Sequence, residues 1–233
     1  MFMPFFIDPM WFLFAVPSLL VMLYAQMKVK GSFEKYSQIR NMPNATGAQI
    51  ARRLLDGAGL RHVSIEMTHG DLSDHYDPGS KVLRLSPRVY ATPSVAAMGI
   101  VAHEVGHAVQ DSTGYVPMRI RAGLVPVVNL GSWLGYIFFI LGFIAQFSGL
   151  VWLGVLLFSG AVVFSLVTLP VEYNASRRAL QLLQTNGMVG QVEVEGVQSV
   201  LNAAALTYVA ALLQSVGQLL YWVFLALGMR RDE

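Results

Sequence analysis

Four long apolar runs constrain what this chain of 233 residues can fold into. Leu124 to Phe147 and Gly149 to Leu169 each reach or exceed the roughly 20 residues a helix needs to cross a bilayer. Leu206 to Leu227 is a third run, with Gln214 and Gln218 as its awkward polar members. Met10 to Met27 is shorter and carries Pro17, yet is still long enough to span. These runs explain a composition that is 55% hydrophobic and only 13% charged, against about 25% charged in an ordinary soluble domain. The first run has no basic segment ahead of it and no small-residue cleavage site, so a retained anchor is expected rather than a signal peptide. The expectation is a mainly α integral membrane protein with four transmembrane helices.

The net charge of +2 says little until the charges are placed. Twelve basic residues, from Lys28 to Arg121, lie between the first and second spans, and Arg177 and Arg178 lie between the third and fourth. Those two segments share one side of the membrane and hold fourteen of the sixteen Lys and Arg residues. The positive-inside rule places that side in the cytoplasm, most directly through Lys28, Lys30, Arg119, Arg121, Arg177 and Arg178 near span ends. Arg230 and Arg231, past the fourth span, are outvoted. The basic residues are interspersed with acids, which gives no sign of nucleic-acid binding. With no cysteine, disulfides and thiolate metal sites are excluded.

Between the first two spans the sequence predicts a small folded region. Asn44 to Gly47 opens a short helix with Ile50, Leu54 and Leu55 on one face, stopped near Gly57 and Gly59. Val63 to Thr68 alternates like a half-buried strand, and Lys81 to Ser86 reads as its partner across a β hairpin with His75 in the loop at its tip. Asp77-Pro78-Gly79-Ser80 is turn chemistry. Thr92 and Pro93 read as the N-cap and first position of a helix running to about Asp111. A tight turn near Ser148-Gly149 joins the second and third spans. Pro170 to Leu180 is polar enough to leave lipid and helical in pattern.

The helix after Pro93 carries His103-Glu104-Val105-Gly106-His107. Residues four apart lie on one helical face about 6 Å apart along the axis, so both imidazoles can reach one metal. Glu104 is placed to take a proton from a water held by zinc, which lowers the pKa of that water to about 7. A catalytic zinc takes three protein ligands, so the motif is one short. Gln110 and Thr113 stand where a metzincin would have glycine and histidine, which excludes that class. Glu172, beside a membrane helix and followed by the small residues Ala175 and Ser176, is the best candidate for the third ligand. Asp111 is expected in a supporting or capping role and Glu193 and Glu195 in the first turn of a helix. His62, His69 and His75 read as solvated. Lys81 to Ser86 is expected to offer the sheet edge to which an extended peptide could add.

The ordered set Leu72 to Asp77, Val82 to Pro87, His103 to Ala108 and Leu169 to Arg178 resembles the bacterial YugP family of neutral zinc-dependent membrane metallopeptidases. Asn202 to Ala210 resembles the family's last helix. More distantly, the site is similar to those of HtpX and the CAAX prenyl proteases, where a Glu-x-x-x-Asp motif supplies the third ligand and a supporting carboxylate. Glu172 matches that glutamate, but Ser176 stands at the aspartate, leaving Asn174, Ser176 or Asp111 as substitutes. The resemblance implies a gluzincin-type endopeptidase with one Zn2+ per chain, held by His103, His107 and Glu172, with Glu104 as general base. With the charge placement above, the expectation is a multi-pass protein of the bacterial inner (plasma) membrane whose active site is cytoplasmic. The likeness to HtpX alone implies membrane-associated or unfolded proteins as substrates.

The expected division is an N-terminal transmembrane helix at 1–27 and a zincin-like catalytic region at 28–123. A transmembrane hairpin at 124–169 follows, then helices carrying the third ligand at 170–205 and a last span with its tail at 206–233. Tyr173, Arg177, Arg178 and His75 are unranked candidates for stabilising the oxyanion. Partners are a protein or peptide substrate and the lipid bilayer, with a membrane adaptor or a second copy of the chain as further options. The alternative is a proteolytically inactive zinc-binding adaptor or assembly factor, which would have no need of Glu104. An ion carrier would need polar groups within several spans, and only Asp8 and scattered glutamines offer them.

Overall fold

A computed structural model of the chain describes residues 9–229; Asp8, Arg230 and Arg231 lie outside the described residues. The element order is α1 (Pro9–Ser37), α2 (Gly47–Gly57), β1 (Ser64–Met67), β2 (His75–Asp77), β3 (Val82–Leu85), α3 (Pro87–Ala91), α4 (Val95–Ser112), α5 (Val116–Ile144), α6 (Ser148–Thr185) and α7 (Gln191–Met229). The protein is mainly α, and α1, α5, α6 and α7 are long and apolar enough to cross a membrane. The helices outrun the apolar runs. Pro170 lies inside α6; proline costs a helix one backbone hydrogen bond and crowds the carbonyl four residues back, but a helix held on both sides of it can continue. The helix expected to begin near Glu193 and Glu195 likewise runs on into the last span as α7.

Contacts divide the chain into two compact units. One comprises the chain up to Ala25, Ile120–Leu169 and Thr207 onward. Here α5 and α6 meet backbone to backbone. A Cβ on Gly142 would stand 2.6 Å from the Val151 nitrogen, and one on Gly154 would stand 2.6 Å from that of Phe139. Small residues allow such approach where helices pack without a hydrophobic driving force. The turn between them is slightly earlier than expected, with Gln146 at φ +53° and Phe147 N–H bonded to the Gly142 carbonyl at 2.8 Å. Trp222 stacks on Phe139 with centroids 4.2 Å apart. The glutamines of the run Leu206 to Leu227, Gln214 and Gln218, line a cavity together with Ser18 and Tyr221.

The other unit comprises Gln26–Arg119 and Pro170–Leu206. Its sheet has the order β1-β3-β2. β1 runs parallel to β3, pairing Ser64 with Val82 and Met67 with Leu85, and β2 runs antiparallel to β3, pairing His75 with Arg84. This corrects the expected pairing on three counts. The two predicted strands are parallel, His75 lies on a strand rather than at a loop tip, and Lys81 to Ser86 supplies the central strand rather than an edge. The reason is chain length. A tight hairpin turn takes two to five residues, whereas a parallel pair needs a connection of a dozen or more, which the chain from 68 to 81 provides. The hairpin is instead β2–β3, closed by Asp77, whose side chain accepts from Gly79 N–H at 2.9 Å and from the Ser80 hydroxyl at 2.5 Å.

α2 starts with a capping box: the Thr46 amide donates to the Gln49 side chain, and the Gln49 amide to the Thr46 hydroxyl. Its buried face, Ile50, Ala51, Leu54 and Leu55, shares one core with Leu83, Met98, Val101, Ala102, Val105, Ala179, Leu183 and Val197. α4 begins later than expected. Its N-cap is Ser94, whose hydroxyl accepts from the Ala97 amide, while Thr92 closes α3 in an extended conformation. Proline disfavours a helical residue before it, and the Pro93 carbonyl is taken by the Asn41 amide at 3.1 Å. Nearly all of α4 is buried, which fixes its rotation about its own axis.

Candidate metal centre

The burial of α4 puts His103 and His107 on the face opposed by α6. Their rings meet edge to face with centroids 4.7 Å apart. Glu172, 1% exposed, reaches between them: its Oε2 lies 3.2 Å from His103 Nε2 and 3.5 Å from His107 Nε2. One ligand atom from each of the three residues can be chosen so that all lie within 4.8 Å of one another. The approach is possible because position 106 is glycine. A Cβ there would stand 2.6 Å from the Ala175 carbonyl oxygen, so Gly106 and the small residues of α6 bring the two helices together at the site.

The far sides of the rings are held from the same two helices. His103 Nδ1 lies 3.2 Å from the Ser176 hydroxyl, and His107 Nδ1 lies 3.0 Å from Gln110 Oε1. Gln110 is fully buried and donates from Nε2 to the Val171 carbonyl at 2.8 Å and to Asn174 Oδ1 at 3.0 Å. Both imidazoles thus turn Nε2 toward Glu172 and Nδ1 toward a hydrogen-bond partner, the arrangement that histidine ligands of zinc require. Two imidazole nitrogens and a carboxylate oxygen are a three-ligand donor set of the kind that holds a hydrolytic zinc. The residues present therefore fit this metal.

Glu104 faces the sheet. Its Oε2 accepts from the Tyr76 amide of β2 at 3.0 Å. Burial raises its pKa above the usual carboxylate range, partly countered by His107 and His103 and reinforced by Glu172 and Asp74. For His107, burial works downward, but the hydrogen bond to Glu172 and the charges of Glu104 and Glu172 outweigh it, and its pKa is raised. Asp74, which accepts from both the amide and the hydroxyl of Ser86, is also raised, by burial.

Of the substitutes expected for the missing aspartate, Ser176 contacts His103 directly and Asn174 reaches His107 through Gln110. Asp111 contacts neither ring. It accepts from the Tyr76 hydroxyl at 2.7 Å and from Lys81 Nζ at 2.5 Å, tying the end of α4 to the β2–β3 hairpin. Glu193 does occupy the first turn of α7, where it accepts from Gly190 N–H and Met42 N–H. His62 and His69 are exposed. His75 is exposed on β2 with its Nδ1 at 2.8 Å from the Ser73 carbonyl. Tyr173 is 53% exposed, and Arg178 Nε donates to Asn174 at 2.7 Å.

Sequence reasoning missed two contributors. Gln110 had a signal, since it is a neutral amide three residues past His107 within an apolar helix. The Tyr76 amide had none, because a backbone group leaves no mark in the side-chain pattern.

The family model described as "Putative neutral zinc metallopeptidase" matches residues 11–227. A Bacillus subtilis (strain 168) protein, "Putative membrane protease YugP", is 45% identical over 225 residues, covering 96% of this chain and 100% of the relative. No solved structure matches the chain.

Proposed function

Because the chain belongs to the neutral zinc metallopeptidase family, we propose that it is a gluzincin-type membrane endopeptidase whose one zinc is held by His103, His107 and Glu172. The observation that carries this reading is the convergence of both histidine Nε2 atoms on Glu172 Oε2, with Glu104 one residue from the first ligand. When bound, zinc supplies Lewis acidity that makes a water nucleophilic near neutral pH and polarises a peptide carbonyl. Glu104 does the proton work: its carboxylate takes the proton of the attacking water and returns it to the leaving amide nitrogen. The Tyr76 amide fixes one of its oxygens, leaving the other for that transfer. Burial of Glu104 suits a group that must both accept and give up a proton near neutrality.

The peptide would add to an outer strand of the sheet, β1 or β2, since β3 is paired on both sides. Main-chain hydrogen bonds of this kind recognise an extended chain without demanding a sequence, which suits unfolded or membrane-associated proteins as substrates. The basic residues near the span ends support a cytoplasmic site in the bacterial inner membrane.

The test is cleavage of an unfolded protein by zinc-loaded wild type beside Glu104→Gln, with chelator and zinc add-back on both. Wild type should cleave in a chelator-sensitive way. The variant should hold zinc and lose at least about a hundredfold in rate, the usual contribution of a general base. Equal zinc with cleavage by neither protein on several substrates would favour a zinc-binding adaptor instead.

A further inference from the structure

We infer that Gln110 is a positioning residue that fixes the tautomer of His107, anchored on the helix that carries Glu172. The inference rests on the zinc reading above and goes beyond the ligand set. The Val171 carbonyl can only accept a hydrogen bond, so the Gln110 atom 2.8 Å from it is the amino nitrogen. That atom also donates to Asn174 Oδ1, which is itself held as an acceptor by Arg178 Nε at 2.7 Å. The amide end of Gln110 thus points to α6 and its oxygen to His107. An amide oxygen cannot donate, so the 3.0 Å contact to His107 Nδ1 requires a hydrogen on Nδ1. The lone pair of the neutral ring is left on Nε2, the atom that faces Glu172.

His103 is held differently. Its Nδ1 partner is the Ser176 hydroxyl, which can donate or accept and is compatible with either tautomer. The two histidines are therefore unequal: His107 is preset for a cation at Nε2, whereas His103 can adjust.

Zinc affinity of detergent-purified full-length protein, read by competition with a chromogenic chelator, separates this role from simple packing. His107→Ala is the control for the parent reading; if it leaves zinc binding unchanged, the proposed site falls whatever Gln110 does. If it lowers zinc binding, Gln110→Met, similar in length but without the amide oxygen or nitrogen, should weaken zinc about 10- to 100-fold. Met at wild-type affinity would overturn the assignment. Since Gln110→Met could also disturb folding, wild type gives an independent reading. Zinc-loaded protein labelled with [15N]histidine should show His107 with hydrogen on Nδ1 and metal on Nε2, and the reverse arrangement would overturn it.

Discussion

The motif residues differ in how much of their role could be read from the chain. His103 and His107 announce themselves by spacing, and Glu104 by its place beside them. Glu172 follows only from a count of missing ligands, and Gln110 stands out only as an amide within an apolar helix. Side-chain pattern points to candidate ligands more readily than to supporting contacts, since an amide in a core is legible only once its partners are known. Away from the site, Asp77 shows what one carboxylate contributes. Hydrogen bonds from Ser80 and the Gly79 amide, then Arg84, hold its pKa below the usual carboxylate range. The folded state therefore releases this proton more readily than the unfolded chain. The resulting stability is present above the unfolded value of about 3.8 and is lost as pH falls through the lower folded value. The melting temperatures of wild type and Asp77→Asn should differ most above pH 5 and converge in strong acid.

At the scale of elements, helix identity was legible and strand partnership was not. Local alternation reveals a strand, but whether Ser64–Met67 lies parallel or antiparallel to its neighbour depends on where the intervening chain travels. Continuity through Pro170 was equally hidden, because a breaker's effect is decided by the contacts that hold the helix on either side. Three substitutions test the elements. Gly106→Ala forces a methyl group against the Ala175 carbonyl and should cost about 1–3 kcal/mol by overpacking, with weakened zinc binding. Gly99→Ala on the same helix meets Val197 at ordinary contact distances, 3.4 Å to Cγ1 and 3.7 Å to Cα, and should be neutral or slightly stabilising, as helix propensity favours alanine. Thr46→Ala removes one arm of the capping box of α2 and should lower stability by about 1 kcal/mol, visible as a lower melting temperature with zinc affinity unchanged.

For the whole molecule, the four apolar helices were legible from length and hydropathy alone, whereas the proposed sidedness depends on where the basic residues fall. The lack of cysteine makes that orientation easy to test. A single Asp71→Cys should react with a membrane-impermeant maleimide only from the cytoplasmic side, and Gln146→Cys, in the α5–α6 turn, only from outside; the opposite pattern would invert the topology. The unit that holds the site is assembled from two separated stretches of chain, with residues 120–169 belonging to the other unit. Glu172 follows His103 by 69 residues. At the usual rate of about 5–20 residues per second, a ribosome takes roughly 3–14 seconds to travel from one to the other. During that interval the nascent chain carries both histidines and the proposed general base without their carboxylate partner. On the proposed ligand set, a growing chain is thus born inert toward its neighbours, and becomes a hydrolase only after its membrane hairpin has been made.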